Sequence, residues 1–445
     1  MNMTSFARRR AAVLEKMRAL GGGVAIIPTA PEVMRNADAD YPYRHDSYFY
    51  YLTGFTEPEA TLVLIAGERE QAVLFCRDKN EEREIWDGYR HGPAGAKERF
   101  GFDTTFASDD IDRELPKLMA NAPALFYALG SNATLDAHVQ RWLNAVRVQV
   151  RAGVTAPAAA YDIRTILNEM RLIKDDEEIA IMRRAADITS GAHARAMRTS
   201  KVGLREYHLE AELLHEFRRN GSQFPAYGSI VATGANACVL HYRAGDAELR
   251  DGDLVLIDAG CELDSYASDI TRTFPVNGRF SGPQKTLYEI VLASQQAAIE
   301  ATGPGRLFTD GHDAALKVLA QGMLDTGLLD RSKAGSVDDV IANGSYRQFY
   351  MHRTGHWLGM DVHDVGDYRD PAVSATEKPW RALAPGMVLT IEPGIYVRPA
   401  PGVPEAFWNI GIRIEDDALV TAEGCDIITH KAPKTVADIE AVMRG

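Results

Sequence analysis

The run Leu254-Val-Leu-Ile-Asp258 places a carboxyl group at the end of an uninterrupted aliphatic stretch. Such a run reads as a buried strand, and an ionised carboxylate at its end is costly unless it is paired or bound to metal. The arrangement recurs. Glu392 ends the segment Thr390-Ile-Glu, just before Pro393 and Gly394, and Glu415 follows Arg413 by two residues, on the same face of a strand. Asp269 stands eleven residues after Asp258, at the start of the alternating segment ITRTF (270–274). Two strands joined by a turn would bring Asp258 and Asp269 together, and close carboxylates raise one pKa or demand a cation. Taken singly, each of these acids also fits a salt bridge or a turn cap.

The segment MHRTGHWLGMDVHD (351–364) holds His352, His356 and His363, three of the chain's 12 histidines. Gly355 and Gly359 within it permit close backbone approach; a histidine-rich surface loop is the alternative. Asp258, Asp269, His356, Glu392 and Glu415 together supply four carboxylates and one imidazole. Four negative charges balance two divalent cations, which bridging carboxylates would hold roughly 3.5–4 Å apart. Oxygen-rich ligation with a single nitrogen favours Mn²⁺ or a similar ion over structural zinc, and a hydroxide bridging the two ions would be the nucleophile.

Other catalytic patterns are missing. His215-Glu216 begins an HExxH, but Arg219 stands where the second histidine belongs, which leaves a charged helix surface. There is no GxSxG elbow and no Walker A loop, and Gly303-Pro-Gly305 lacks the third glycine of a dinucleotide site.

The chain of 445 residues carries 49 basic and 62 acidic side chains, a net charge of −13. That balance argues against general binding of nucleic acid or anionic membranes. The length allows two or three domains. Four scattered cysteines without a CxxC fit a reducing compartment. The basic amino terminus is interrupted by Glu15, Lys16 and Arg18, so it reads as an amphipathic helix rather than a signal peptide. No apolar run approaches the roughly 18 residues of a membrane span, and the expected location is the cytoplasm.

Strand signals at 24–27, 61–65 and 72–75, with a helix over 111–119 despite Pro116, predict an α/β amino-terminal domain. The Ala/Pro-rich stretch 155–160 reads as a connector. Asp175 and Glu178 form a capping box for a helix to about residue 197, and further helices are predicted at 206–220, 283–301 and 310–326. Strands are expected at 254–257, 270–274, 387–391, 395–397 and 410–414.

The ordered motifs LIDAGCE…SDITRTFPV, MHRTGHWLGMDVHD, TIEPGIY and GIRIEDD closely resemble the proline-specific metallopeptidases of the pita-bread fold, above all the bacterial Xaa-Pro aminopeptidases (aminopeptidase P). The likeness extends to Asp40-Tyr-Pro-Tyr-Arg44 and to 51–60. It implies an amino-terminal domain over 1–172 and a pita-bread α+β catalytic domain over 173–445. It implies two metals, usually Mn²⁺, on Asp258, Asp269, His356, Glu392 and Glu415, with Asp269 and Glu415 bridging. His241, His352 and His363 would line the substrate site, His363 at the scissile carbonyl, with Glu392 as proton shuttle and Arg413 orienting the ligands. Tyr396, Arg381, Trp86, Arg151 and Asp38 match family positions near the active site. The implied reaction releases the first residue of peptides with proline second, from a homotetramer. Two rivals share the fold: Xaa-Pro dipeptidase (prolidase), with the same ligands, and non-catalytic binding relatives, which lack them.

Overall fold

The computed structural model describes residues 2–444 except 69 and 375. The chain forms two compact units, Met1–Met170 and Arg171–Gly445. A helix, Arg164–Leu172, runs across the division.

In the first unit, β-branched and aromatic runs form β1 (Gly23–Pro28), β2 (Thr61–Ala66), β3 (Gln71–Cys76), β4 (Thr104–Ala107), β5 (Ala124–Tyr127) and β6 (Ala159–Asp162). They pair in the order β4-β3-β2-β1-β5-β6. β1 runs antiparallel to β2 and parallel to β5, so the sheet is mixed. Helices Ile111–Met119 and Ala133–Arg147 cover one face, burying Leu115, Met119, Val139 and Trp142 against Val24, Ile26, Val63 and Val73. The connector expected at 155–160 needs correction. Its last residues enter β6, where Ala159 and Ala160 pair with Ala124 and Leu125. Small side chains suit this exposed edge, although their composition reads as linker.

The second unit begins with the long helix Asp176–Thr199, capped at Asp175 by the expected reciprocal box with Glu178. Helices Glu206–Arg219, Gly282–Ala301 and Asp310–Asp325 follow. β7 (Ile230–Thr233), β8 (Leu254–Asp258) and β11 (Thr271–Pro275) form an antiparallel sheet, with Asp258 opposite Thr271. Between β8 and β11 the chain makes a further hairpin, β9 (Cys261–Leu263) and β10 (Tyr266–Ala267). Asp258 and Asp269 are thus brought together by a supplementary ribbon rather than a simple turn. The return is tight: a Cβ on Gly260 would lie 1.6 Å from the Ser268 carbonyl.

The carboxy-terminal strands are β12 (Val388–Ile391), β13 (Gly394–Val397), β14 (Ile410–Arg413), β15 (Asp416–Val420) and β16 (Cys425–Ile427). β12 pairs with β15, β13 with β14, and the Thr271–Glu415 bridge joins this group to β11. One core of aliphatic and aromatic side chains, including Leu213, Phe217, Val255, Ile257, Tyr288 and Ile412, lies beneath the strands.

Candidate metallopeptidase site

The acids singled out in the sequence sit at or within two residues of strand termini. Asp258 closes β8, Glu392 follows β12, and Glu415 lies between β14 and β15, its amide bonded to the Thr271 carbonyl. Asp269 falls two residues before β11 rather than opening it, because its amide is held by the Asp417 carboxylate instead of a neighbouring strand. The histidine segment is an irregular loop laid against β12. Thr390 N–H bonds the His356 carbonyl and Glu392 N–H the Thr354 carbonyl, so His356 and Glu392 are fixed in one register. Gly355 makes this possible, since a Cβ there would lie 2.0 Å from the Thr390 carbonyl.

These elements surround a cavity of about 860 Å³ lined by Asp258, Asp269, His356, Glu392 and Glu415, together with His241, His352 and His363. Ligand atoms of Asp269, His356 and Glu415, all buried, lie within 4.8 Å of one another. His356 Nε2 is 3.6 Å from Asp269 and 3.8 Å from Glu392. Its Nδ1–H donates to the Trp357 carbonyl at 2.9 Å, which fixes the ring so that Nε2 faces the acids.

Burial raises the pKa of Glu415 well above the carboxylate range, with Asp269 and Glu392 adding repulsion. Burial also raises Asp269, though His356 partly offsets it. Glu392 is raised to about 7 by burial, against the pull of His356 and Arg413. Burial alone would lower His356, but Asp269 and Glu392 outweigh it and raise the imidazole to about 9. Four carboxylates thus face one imidazole and the single guanidinium of Arg413, so negative charge is in excess.

Tyr227, which no motif marked, sharpens the point. Its hydroxyl lies 2.5 Å from Asp258 Oδ1 and also contacts Asp269 Oδ1. One phenolic proton cannot satisfy both carboxylates, so the grouping calls for a further proton or a cation. Such a donor set fits divalent metal.

Arg413 is bound on every side. Its Nη2 donates to Asp258 at 2.6 Å, Nη1 to the Tyr396 hydroxyl at 2.8 Å, and Nε to Thr271 Oγ1 at 3.2 Å. Thr271 Oγ1 donates in turn to Glu415 Oε2 at 2.6 Å. His352 is lowered to about 4 by burial and by Arg413, so it is neutral. Its Nδ1–H donates to the Arg353 carbonyl, and Nε2 therefore accepts from Tyr396 at 2.8 Å. Proton direction in the chain from Arg413 through Tyr396 to His352 is thereby set.

Three residues named from the resemblance lie in the first unit. Asp38 is exposed at a turn with φ 65°, Trp86 is 80% exposed on the helix Glu81–Asp87, and Arg151 is exposed in a short 3₁₀ turn. Arg381 adjoins Trp380, a cavity-lining residue, and bonds the Asp367 carbonyl at 3.4 Å.

A buried acid–imidazole cluster that fits metal, set at strand ends under an open cavity, defines the class: a hydrolytic metal centre. Residues 180–422 match the family described as metallopeptidase family M24, and residues 6–127 match the aminopeptidase P amino-terminal domain. The Xaa-Pro aminopeptidase of Escherichia coli is 45% identical over 440 residues, covering 98% of this chain and 97% of that protein. The aminopeptidase PepP structure from Pseudomonas aeruginosa superposes with a TM-score of 0.96 at 49% identity, over 100% of this chain and 98% of that one. An Escherichia coli aminopeptidase P variant in complex with substrate gives 0.95 at 44% identity, with the same coverage. The chain belongs to metallopeptidase family M24, and its fold is the pita-bread fold of aminopeptidase P.

Proposed function

We propose that the chain is an Xaa-Pro aminopeptidase, releasing the first residue from peptides with proline in the second position. The observation that carries this reading is the convergence of the five acid and imidazole ligands with three further histidines in one cavity. Asp258, Asp269, His356, Glu392 and Glu415 would hold two divalent ions, most simply Mn²⁺, with Asp269 and Glu415 shared between them. When bound, the ions supply Lewis acidity toward water and the scissile carbonyl.

The remaining work falls to the chain. His363 donates to the carbonyl oxygen as negative charge develops there. Glu392 takes a proton from the attacking water and returns it to the proline nitrogen as the amide bond breaks. Arg413 fixes Asp258 and Tyr396, and His241 and His352 line the substrate path. Proline lacks an N–H, so a pocket for its ring has no amide donor to satisfy.

Assembly as a homotetramer is part of this reading, supported by the exposure of Ile85 and Trp86 at 82% and 80%. A cytoplasmic location is supported by four cysteines that are all free. No helix among the described residues is long and apolar enough to cross a membrane.

The test is substrate length. Xaa-Pro-Yaa tripeptides should be cut to the free first residue plus Pro-Yaa, Xaa-Pro dipeptides more slowly, and N-acetylated peptides poorly. Robust turnover of dipeptides with none of tripeptides would make the chain a prolidase.

A further inference from the structure

The cavity is not electrically uniform. Its floor is acidic and buried: Asp269, Glu415 and His356 are 4%, 2% and 7% exposed. Part of its rim is basic and exposed, carrying Arg353 and Arg369 beside the half-buried Trp380. The Arg369 guanidinium lies 3.6 Å from the centre of the Trp380 ring and that of Arg353 lies 5.0 Å away, both within cation–π reach.

Arg369 and Trp380 are bridged to each other, Asp370 N–H bonds the Pro379 carbonyl at 3.0 Å, and Arg369 Nη1 donates to the Lys378 carbonyl at 2.8 Å. Arg369 and Trp380 are therefore held by the pairing of their backbones, and Arg353 reaches the same ring from the segment 351–364. In this chain of net charge −13, Arg171, Arg272 and Arg413 are each matched to a buried or half-buried aspartate. Among the described residues, Arg353 and Arg369 have no such carboxylate partner. Two guanidiniums gathered over one indole, facing a substrate cavity without a carboxylate partner, have the chemistry of a carboxylate subsite.

We propose that Arg353, Arg369 and Trp380 form a subsite for the anionic end of the peptide substrate, either the free terminal carboxylate of a short peptide or an acidic side chain beyond the proline. The inference rests on the aminopeptidase reading and seats the peptide's free amine at the acidic floor, where opposite charge favours it. A chain entering that way leaves toward the exposed rim, so negative charge placed a few residues after proline meets the guanidiniums.

The experiment compares metal-loaded wild type, Arg353→Gln, Arg369→Gln and the double variant on matched Xaa-Pro-Yaa peptides and their C-terminal amides. A second pair places Glu or Lys at the fourth residue. Two exposed charge pairs predict a KM for the free acids about five- to tenfold lower than for the amides in wild type. That ratio should fall to near one in the double variant. It should also shrink as salt rises from about 0.02 to about 0.5 M, where the screening length falls to a few ångströms. Equal KM for acids and amides in wild type, or a ratio untouched by the double substitution, would overturn the subsite and leave the peptidase intact. Failure to cut any Xaa-Pro peptide would remove both.

Discussion

The imidazole of His363 lies flat against that of His356, with ring centroids 3.9 Å apart and planes 11° from parallel. His356 turns Nε2 to the acids, whereas His363 is neutral, lowered to about 4 by burial and then by the charges of His356 and His241. A neutral ring beside the cluster keeps an N–H to offer a substrate carbonyl. His363→Ala should therefore retain metal close to the wild-type content. It should lose about 10²–10³ in kcat, the usual effect of deleting one oxyanion donor. Elemental analysis alongside steady-state kinetics checks this, and loss of an ion would make His363 a ligand.

Asp269 and Glu415 sit deepest in the acid cluster; burial raises both, with repulsion from Asp258 on Asp269 and from Asp269 and Glu392 on Glu415. Cations relieve that repulsion. Chelation should abolish peptidase activity and Mn²⁺ should restore it. Asp269→Asn and Glu415→Gln should each lower metal stoichiometry as well as rate, the outcome expected if each carboxylate serves both ions. Full activity in a preparation shown to be metal-free would refute the assignment.

Asp364, next to His363, is clamped between two buried cations. Arg171 Nη2 donates to it at 2.7 Å and Lys174 Nζ at 2.9 Å, and all three side chains are 1% exposed. Burial pushes the Asp364 carboxyl up, but Lys174 and Arg171 outweigh it and hold it below the usual carboxylate range. Its contribution to stability is thus complete above pH about 4 and is lost only as pH falls through the lower folded value. Asp364→Asn leaves Lys174 buried without its carboxylate and Arg171 with that of Asp361, and should cost about 3–5 kcal/mol in urea unfolding at neutral pH. It should also reduce kcat, since the loop it ties carries His363. A change below about 1 kcal/mol would show that the clamp is dispensable.

Asp258 and Glu392 were legible because each belongs to a short local pattern of aliphatic run, carboxylate and turn. Both lie where that pattern puts them, whereas Glu415, read as part of a strand with Arg413, falls between two strands. The helix of the capping box Asp175/Glu178 was equally plain. What escaped was set by partners distant in the chain. Tyr227 stands in a segment with no motif, and only the return of β11 brings Asp258 and Asp269 to its hydroxyl. Arg171 and Lys174 read as helix-flanking charges, yet their carboxylate is about 190 residues away. The strand at Ala159–Asp162 hid in an Ala/Pro composition, because an edge strand needs only a partner's backbone. The basic rim combines Arg353 with Arg369 and Trp380, residues whose common cavity no periodicity reveals.

The metal-free protein should lose stability as pH rises from about 5 to about 9. Glu392 is raised to about 7 when folded, from an unfolded value near 4.3, so the native state binds the extra proton between those limits. Unfolding there releases a proton, and stability falls with rising pH. His356 is raised to about 9 and acts in the same direction, contributing fully below about 6.5 and losing its contribution as pH passes 9. Glu415 and Asp269 also favour the protonated native form. Metal replaces those protons, so the Mn²⁺-loaded protein should not share the decline, and the gap in Tm between loaded and chelated samples should widen across this range. Calorimetry of both forms at pH 5, 7 and 9 tests it. A chelated protein whose Tm is flat or rises between pH 5 and 9 would show that the cluster does not carry these protons.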